Sequence, residues 1–408
     1  MTAPACTAGE PLLAGLTVVD FTRVLAGPYC TRLLADLGAR VIKIERPAEG
    51  DEIRYSVTQL EPGRTDQSSY FVRLNAGKQG IAIDLAHPQA REIVLDLVRL
   101  ADVVVENFSP GIMARYGLDD AALREVRADL VYCSISGFGQ TGPLGSMQAY
   151  AHLINAISGM MDMERCGERE PRASYLQTAD VLAGTHAFGA ICAALLRRAR
   201  SGQGAYLDVS MLECLIAADD ITFHALLNGG EVWRTPRPGM LVHAIGDRHL
   251  AVQAIGAPHL LARLLALIGR PELATDERFA TPAARRANWP AFAQILREWL
   301  AGFESVEQAL AKLSAARIPS VPMLSPEEIV AHPHMIARTA FPEVQHATRG
   351  PVRITATPFH VDRRPIDPGG PAPYRVGQHT REVLTGVLGY SAERVVALER
   401  DGVVETPV

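Results

Sequence analysis

Through its first 210 residues the chain alternates short apolar runs, rich in β-branched residues, with longer stretches of helical periodicity. That alternation leaves few folds open. Leu16–Phe21 (LTVVDF) reads as a buried strand, and Gly27-Pro28 then opens a helix with proline at a position the first turn tolerates. The helix stops at Gly38, and Ala39–Glu45 (ARVIKIE) is a second strand. Gly80–Leu85 is a third, followed by an amphipathic helix over Pro88–Leu100. Asp102–Glu106 (DVVVE), Leu130–Ser134 (LVYCS) and Ala205–Ser210 (AYLDVS) add three more strands. The pattern predicts an α/β, doubly wound sheet, a fold that binds ligands beyond the carboxyl ends of its strands.

Beyond this core, Thr178–Arg200 reads as a helix ending at Ser201-Gly202, with basic residues in its last turn. Met211–Leu227 reads as one long helix, and the Gly- and Pro-rich segment 228–240 as a boundary. A strand over Leu250–Ile255 and helices to about Ala316 then make a smaller second domain. Residues 341–380 carry short strands among Pro and Gly, and Arg381–Arg400 is helical. The expected division is 1–227 for a large α/β domain, 228–330 for a small α+β domain, and 331–408 for a segment returning to the first. A length of 408 residues, 48% hydrophobic and 21% charged, suits a globular chain of that plan. The net charge of -5, with basic residues scattered, argues against nucleic acid or an anionic membrane as partner. Met1–Glu10 lacks a basic stretch followed by an apolar one, and the apolar runs read as too short to span a bilayer. Six cysteines, at 6, 30, 133, 166, 192 and 214, form no CxxC pair and read as free thiols of a cytoplasmic protein.

A doubly wound sheet invites a dinucleotide, but the first strand runs into Thr22-Arg-Val-Leu-Ala-Gly-Pro-Tyr29, not GxGxxG, and no GxxxxGK[ST] occurs. NAD, FAD and ATP are therefore not expected. Histidines and carboxylates show no metal-ligand spacing; His332 and His334 flank a proline and read as surface residues. One carboxylate stands out. Asp180 lies among small and apolar residues in Ser174–Gly189, with Gly184 and Gly189 leaving room for close approach. Two roles are open from these residues alone: a helix N-cap, or a covalent nucleophile lining a cavity.

Several further segments fall in a characteristic order. They are Asp20-Phe-Thr-Arg-Val-Leu-Ala-Gly-Pro28, Gly38-Ala-Arg-Val-Ile-Lys-Ile-Glu-Arg-Pro47, and Gly50-Asp51 with Arg54. Ala101–Gly111, Ser136-Gly-Phe-Gly-Gln-Thr-Gly-Pro143 and Gly377-Gln-His-Thr380 follow. Together, across nearly the whole chain, they resemble family III CoA-transferases of the CaiB/BaiF, formyl-CoA-transferase-like type. The resemblance implies a Rossmann-like large domain, a smaller α+β domain, and two chains interlocked as a homodimer. It implies acyl-CoA and a small carboxylic acid as substrates and no tightly bound cofactor. It puts the catalytic carboxylate on Asp180, which attacks the acyl-CoA thioester and passes through aspartyl anhydride and aspartyl-CoA thioester intermediates. Coenzyme A contacts fall on Leu25 and Ala26, on Arg46, on Ile83, Asp84 and Leu85, and on Asn107, Phe108 and Ser109. Arg115 and the run Ser136, Gly137, Phe138 and Gly139 complete them, the last as candidate donors to an oxyanion.

Some positions depart from the formyl-CoA-transferase pattern. Ala86 stands where some members carry Lys, Ser136 and Phe138 replace Lys and Tyr, and a Gly-rich lid has no counterpart at Ile255–His259. The Gln-Thr-Gly-Pro and Gly-Gln-His-Thr runs look closer to members using succinyl-CoA and small dicarboxylic acids. The related racemases need an acid–base pair that falls here on Tyr150-Ala151, which cannot exchange protons; His152 is out of register. A non-catalytic acyl-CoA-binding protein would not need Asp180.

Overall fold

The computed structural model describes residues 10–165, 170–173, 175–219, 221–232, 238–254 and 258–407. They fall into two compact units, one drawn from 10–165, 170–232 and 334–407, the other from 238–333. In the first, β1 (Thr17–Asp20), β2 (Arg40–Glu45), β3 (Gln79–Ile83), β4 (Val103–Glu106), β5 (Val131–Ser136) and β6 (Ala205–Ser210) form one parallel sheet in the order β3-β2-β1-β4-β5-β6. Val18, Val41, Val103 and Val131 bury one face beneath the helices Ala26–Asp36 and Thr178–Ser201. Val19, Ile42, Val104 and Tyr132 bury the other against Ile93, Val94 and Leu97 of the Ala90–Leu100 helix. Burial on both faces is why these strands read as unbroken apolar runs instead of alternating ones. The strand order reverses between β1, paired to β2 on one side, and β4 on the other, which opens a crevice at their carboxyl ends.

Three expectations need correction. Thr178–Ser201 has 24 residues and holds an 18-residue window of mean hydropathy 1.6, long and apolar enough to cross a membrane, although the apolar runs read as too short. Here Ala179, Ala183, Ala187 and Ile191 pack it into the sheet layer. The expected helix Met211–Leu227 is broken into Met211–Ile216 and Thr222–Leu227. The Asp219 carboxylate accepts from the Ile221 and Phe223 backbone N–H groups at 3.2 and 2.9 Å, which competes with continued helix. The second unit gains a strand directly after the stretch read as boundary: β7 (Met240–Ile245) pairs antiparallel with β8 (Arg248–Gln253) through Gly246-Asp247, Gly246 having φ 62°. β9 (Ser320–Pro322) completes that sheet, over a core including Leu250, Phe279, Phe292 and Leu313.

The chain's end closes the first sheet. His379 N–H donates to the Gly80 carbonyl at 2.8 Å, the Gly80 N–H donates to His379 Nδ1 at 3.0 Å, and the Ala82 N–H donates to Thr380 Oγ1 at 3.0 Å. Val404-Glu405 then pairs antiparallel with Ile83 and Ala82. The Gly377–Thr380 motif thus covers a sheet edge otherwise open to other chains. Among the described cysteines Cys30, Cys133, Cys192 and Cys214 are free; Cys6 and Cys166 lie outside the described residues, as do residues 255–257 of the lid comparison and Ser174.

Candidate active site

The loop after β1 is held from behind by buried charge. Asp20 ends β1 fully buried; its carboxylate accepts from Thr22 N–H at 2.8 Å, Thr31 Oγ1 at 2.7 Å and Lys78 Nζ at 3.0 Å. Lys43 donates to the Thr22 carbonyl at 2.6 Å and to Asp51 at 3.0 Å, and Asp51 accepts in turn from Val24 N–H at 3.2 Å. Arg54 meets Glu45 through two bonds of 2.7 Å. A bidentate, buried pair of this kind is specific in geometry, and removing one partner would strand the other charge. Burial pulls Lys78 down to about 8 against the raising effect of Asp20. The network fixes residues 22–25, where Val24 adopts φ 66°, a conformation β-branched residues rarely take.

Asp180 lies in the first turn of its helix and is not the cap. Gln177 holds the cap position, without a side-chain cap bond. The Asp180 carboxylate feels its own N–H and the N–H of Ala26, one of the donors left free where the Ala26–Asp36 helix begins. Two helix N-termini therefore favour its charge. Burial outweighs them: it is the largest cause, and it pushes the carboxyl up to about 6 while the two N–H groups and His152 pull it down. The group is ionised near neutrality yet poorly hydrated, the condition a carboxylate needs to attack a carbonyl. Gly184, one turn on, explains the Asp-x-x-x-Gly spacing. A Cβ there would lie 2.5 Å from the Ala26 carbonyl oxygen, so only glycine lets this helix approach the Ala26 backbone so closely.

Asp180 faces a cavity of about 150 Å³, bordered also by Ala26, Asn107, Ser109, Ser136 and Gly137. A larger cavity of about 770 Å³ takes its wall from Arg46, Ile83, Asp84, Leu85, Phe108 and Ser109. Arg23, Glu52, Phe108 and Ser109 border both, so the two adjoin. Asn107 bridges the crevice: its Oδ1 accepts from Arg23 N–H at 2.9 Å, and its Nδ2 donates to the Arg23 carbonyl at 2.8 Å. Glu106 supports that loop by accepting from Phe108 N–H at 2.9 Å, and burial pushes its carboxyl up to about 7. Ser136 Oγ is buried, 8% exposed as a residue, and has no hydrogen-bond partner among the described residues. A polar atom left unpaired on a cavity wall is what a ligand would satisfy.

Four residues expected to touch CoA border neither cavity. Leu25 is 3% exposed and packs with Ile53, Phe71 and Leu74 in a small core; only its neighbour Ala26 faces the cavity. Phe138 packs against the core beside β5, and Gly139 borders neither cavity. Arg115 is exposed on a helix of four residues, Ile112–Arg115, and also borders neither. Arg46 lies on the large cavity with its side chain 71% exposed, paired to Glu49 at 3.0 Å. In the other direction, Arg23 and Glu52 border both cavities without having been assigned a role; Arg23 was visible only as one letter of the Asp20–Pro28 motif.

A half-buried carboxylate thus lies at converging helix starts, beside adjoining cavities at the switch point. Residues 13–380 match CoA-transferase family III. The chain belongs to that family. This family III CoA-transferase is 32% identical over 386 residues to the succinate–glutarate CoA-transferase of Agrobacterium fabrum, covering 92% of this chain and 95% of that one. It is 34% identical over 413 residues to the formyl-CoA:oxalate CoA-transferase of Streptomyces avermitilis, covering 96% and 99%. Its fold matches the solved structure of a CaiB/BaiF family protein from Brucella suis with a TM-score of 0.78 at 32% identity, over 93% of this chain and 100% of that one. The protein is thus a CoA-transferase that acts on CoA thioesters; its relatives serve different pairs of acids.

Proposed function

We propose that this enzyme moves CoA from succinyl-CoA to a small dicarboxylic acid, with Asp180 as nucleophile. The observation that carries the reading is the Asp180 carboxylate itself: half-buried, raised to about 6, close to the Ala26 N–H, and open to a cavity. The CoA body would occupy the 770 Å³ cavity, with Arg46 toward a phosphate and the pantetheine arm leading past Phe108 and Ser109. An Asp180 oxygen attacks the thioester carbonyl and the CoA thiolate departs, leaving a mixed anhydride. The thiolate then attacks the aspartyl carbonyl, releasing succinate and leaving CoA as a thioester on Asp180. The acceptor carboxylate attacks that thioester, and the thiolate released again takes the acceptor's acyl carbon, restoring Asp180. No proton and no water enter the balance, so a dry pocket with N–H and O–H donors suffices. Ser136 Oγ and the Gly137 backbone are the donors we assign to the oxyanions. Dicarboxylate use has its support in the succinate–glutarate relative and the Gly377–Thr380 motif. We further infer two interlocked chains in the cytoplasm, the small α+β domain of one completing the site of the other.

The test has two parts. Mass spectrometry after mixing with succinyl-CoA should find a CoA-sized adduct on Asp180. Chromatography should show transfer to a dicarboxylate, with Asp180→Ala folded and inactive. Substantial residual transfer by that variant would remove Asp180 from the role. Solvent deuterium entering the α-carbon of an acyl-CoA, without transfer, would point to racemase chemistry instead.

A further inference from the structure

Resting on the CoA-transferase reading, we infer that Arg23 selects the acid: its guanidinium receives the second carboxylate of a dicarboxylate whose first carboxyl reacts at Asp180. Arg23 borders the Asp180 cavity, and among the described residues there it is the one Lys or Arg. Its guanidinium forms no ion pair among the described residues and lies 5.6 Å from the centre of the Phe108 ring. By contrast Arg54, Arg32 and Arg46 each hold a carboxylate. Glu52, the other charged group bordering both cavities, forms no pair with it. The backbone beneath Arg23 is held: Asn107 takes both its N–H and its carbonyl, and Val24 next to it is bound by Asp51 at a left-handed φ of 66°. A cation presented from a fixed backbone loses less freedom when it binds.

The charge has no evident partner on CoA. The pantetheine arm is neutral from the diphosphate to the sulfur, and the diphosphate end belongs with the large cavity and Arg46. Close to the reacting carbonyl, the one anionic group an acid substrate adds beyond its reacting carboxyl is a second carboxylate. Guanidinium suits it through two parallel N–H donors. Arg23 is exposed, so a monocarboxylic acid forgoes the ion pair without stranding the guanidinium, and the preference equals what the pair itself contributes.

The experiment compares acceptors against one donor. Wild type, Arg23→Met and Arg23→Lys are assayed with succinyl-CoA and either glutarate or butyrate, so any effect on the donor cancels in the ratio of kcat/KM values. Wild type should favour glutarate, and Arg23→Met should lower that ratio roughly 10- to 100-fold, the size of a lost charge-assisted pair. Arg23→Lys should keep an intermediate preference, because it retains charge without the fork. Formation of the Asp180 adduct by both variants checks that they are folded. An unchanged ratio with both acceptors reduced alike would put Arg23 on CoA and overturn the inference, as would a wild type without preference for dicarboxylates. Wild-type protein that transfers CoA to no acid would overturn the function reading instead.

Discussion

At the scale of single residues, the chemistry of Asp180 is a contest between burial and two sets of backbone dipoles. Burial wins by a margin that leaves the carboxyl at about 6, so its ionised fraction changes just below neutrality. The acid limb of kcat/KM for transfer should therefore rise with an apparent midpoint near pH 6, and a limb flat down to pH 4.5 would contradict that assignment. Stability should move oppositely. An acid whose folded value lies above its unfolded value of 3.8 opposes folding once both states are ionised, and the opposition fades as pH falls through the two values. Asp180→Asn should accordingly raise Tm at pH 8, with the gain shrinking as pH approaches 4. The same side chain that makes the enzyme work is thus a source of instability, a frequent condition at active sites.

At the scale of elements, the decisive event is the approach of the Thr178–Ser201 helix to the start of the Ala26–Asp36 helix. The Ala26 carbonyl is backbone and cannot turn aside, so a side chain at 184 must part the helices. Gly184→Val should cost about 1–3 kcal/mol, as overpacking does, and reduce kcat far more than that loss of stability implies. Thermal melting and steady-state kinetics on the one variant separate the two effects. The loops after β1 and β4 are joined by Asn107, whose two bonds to Arg23 form a small clasp across the crevice. Asn107→Ala should raise KM for acyl-CoA about 10-fold through the loss of those bonds, while the secondary structure seen by circular dichroism stays as it was.

At the scale of the whole molecule, the first unit draws on both ends of the chain. Residues beyond 334 return to close the edge of β3, whose carboxyl end carries Ile83, Asp84 and Leu85 of the large cavity. Glu405 also accepts from the Ala48 N–H, beside the same cavity. Truncation after Arg400 should lower Tm and weaken CoA binding together, measurable by calorimetry; a stable protein with unaltered CoA affinity would separate the sheet edge from the site.

How far the residues alone led depends on whether a feature is local. The β-branched runs determined the strands of the first sheet, because a strand buried on both faces must be apolar throughout. The order of motifs determined the family, and the isolation of Asp180 among small residues marked it for attention. The break at Asp219 and the β7–β8 turn at Gly246-Asp247 are also written locally, the first inside a stretch that reads as one helix. Other features are long-range. Arg23 and Arg115 look alike as arginines after strands, yet one borders both cavities and the other faces solvent, because the reversal of strand order brings β1 beside β4 and nothing in either segment records that neighbour. Lys43, Asp51 and Lys78 are ordinary charges in the chain; only tertiary packing buries and pairs them. The raised Asp180 carboxyl arises in the same way, from the water removed when distant segments close over it, and folding alone decides how much water that is.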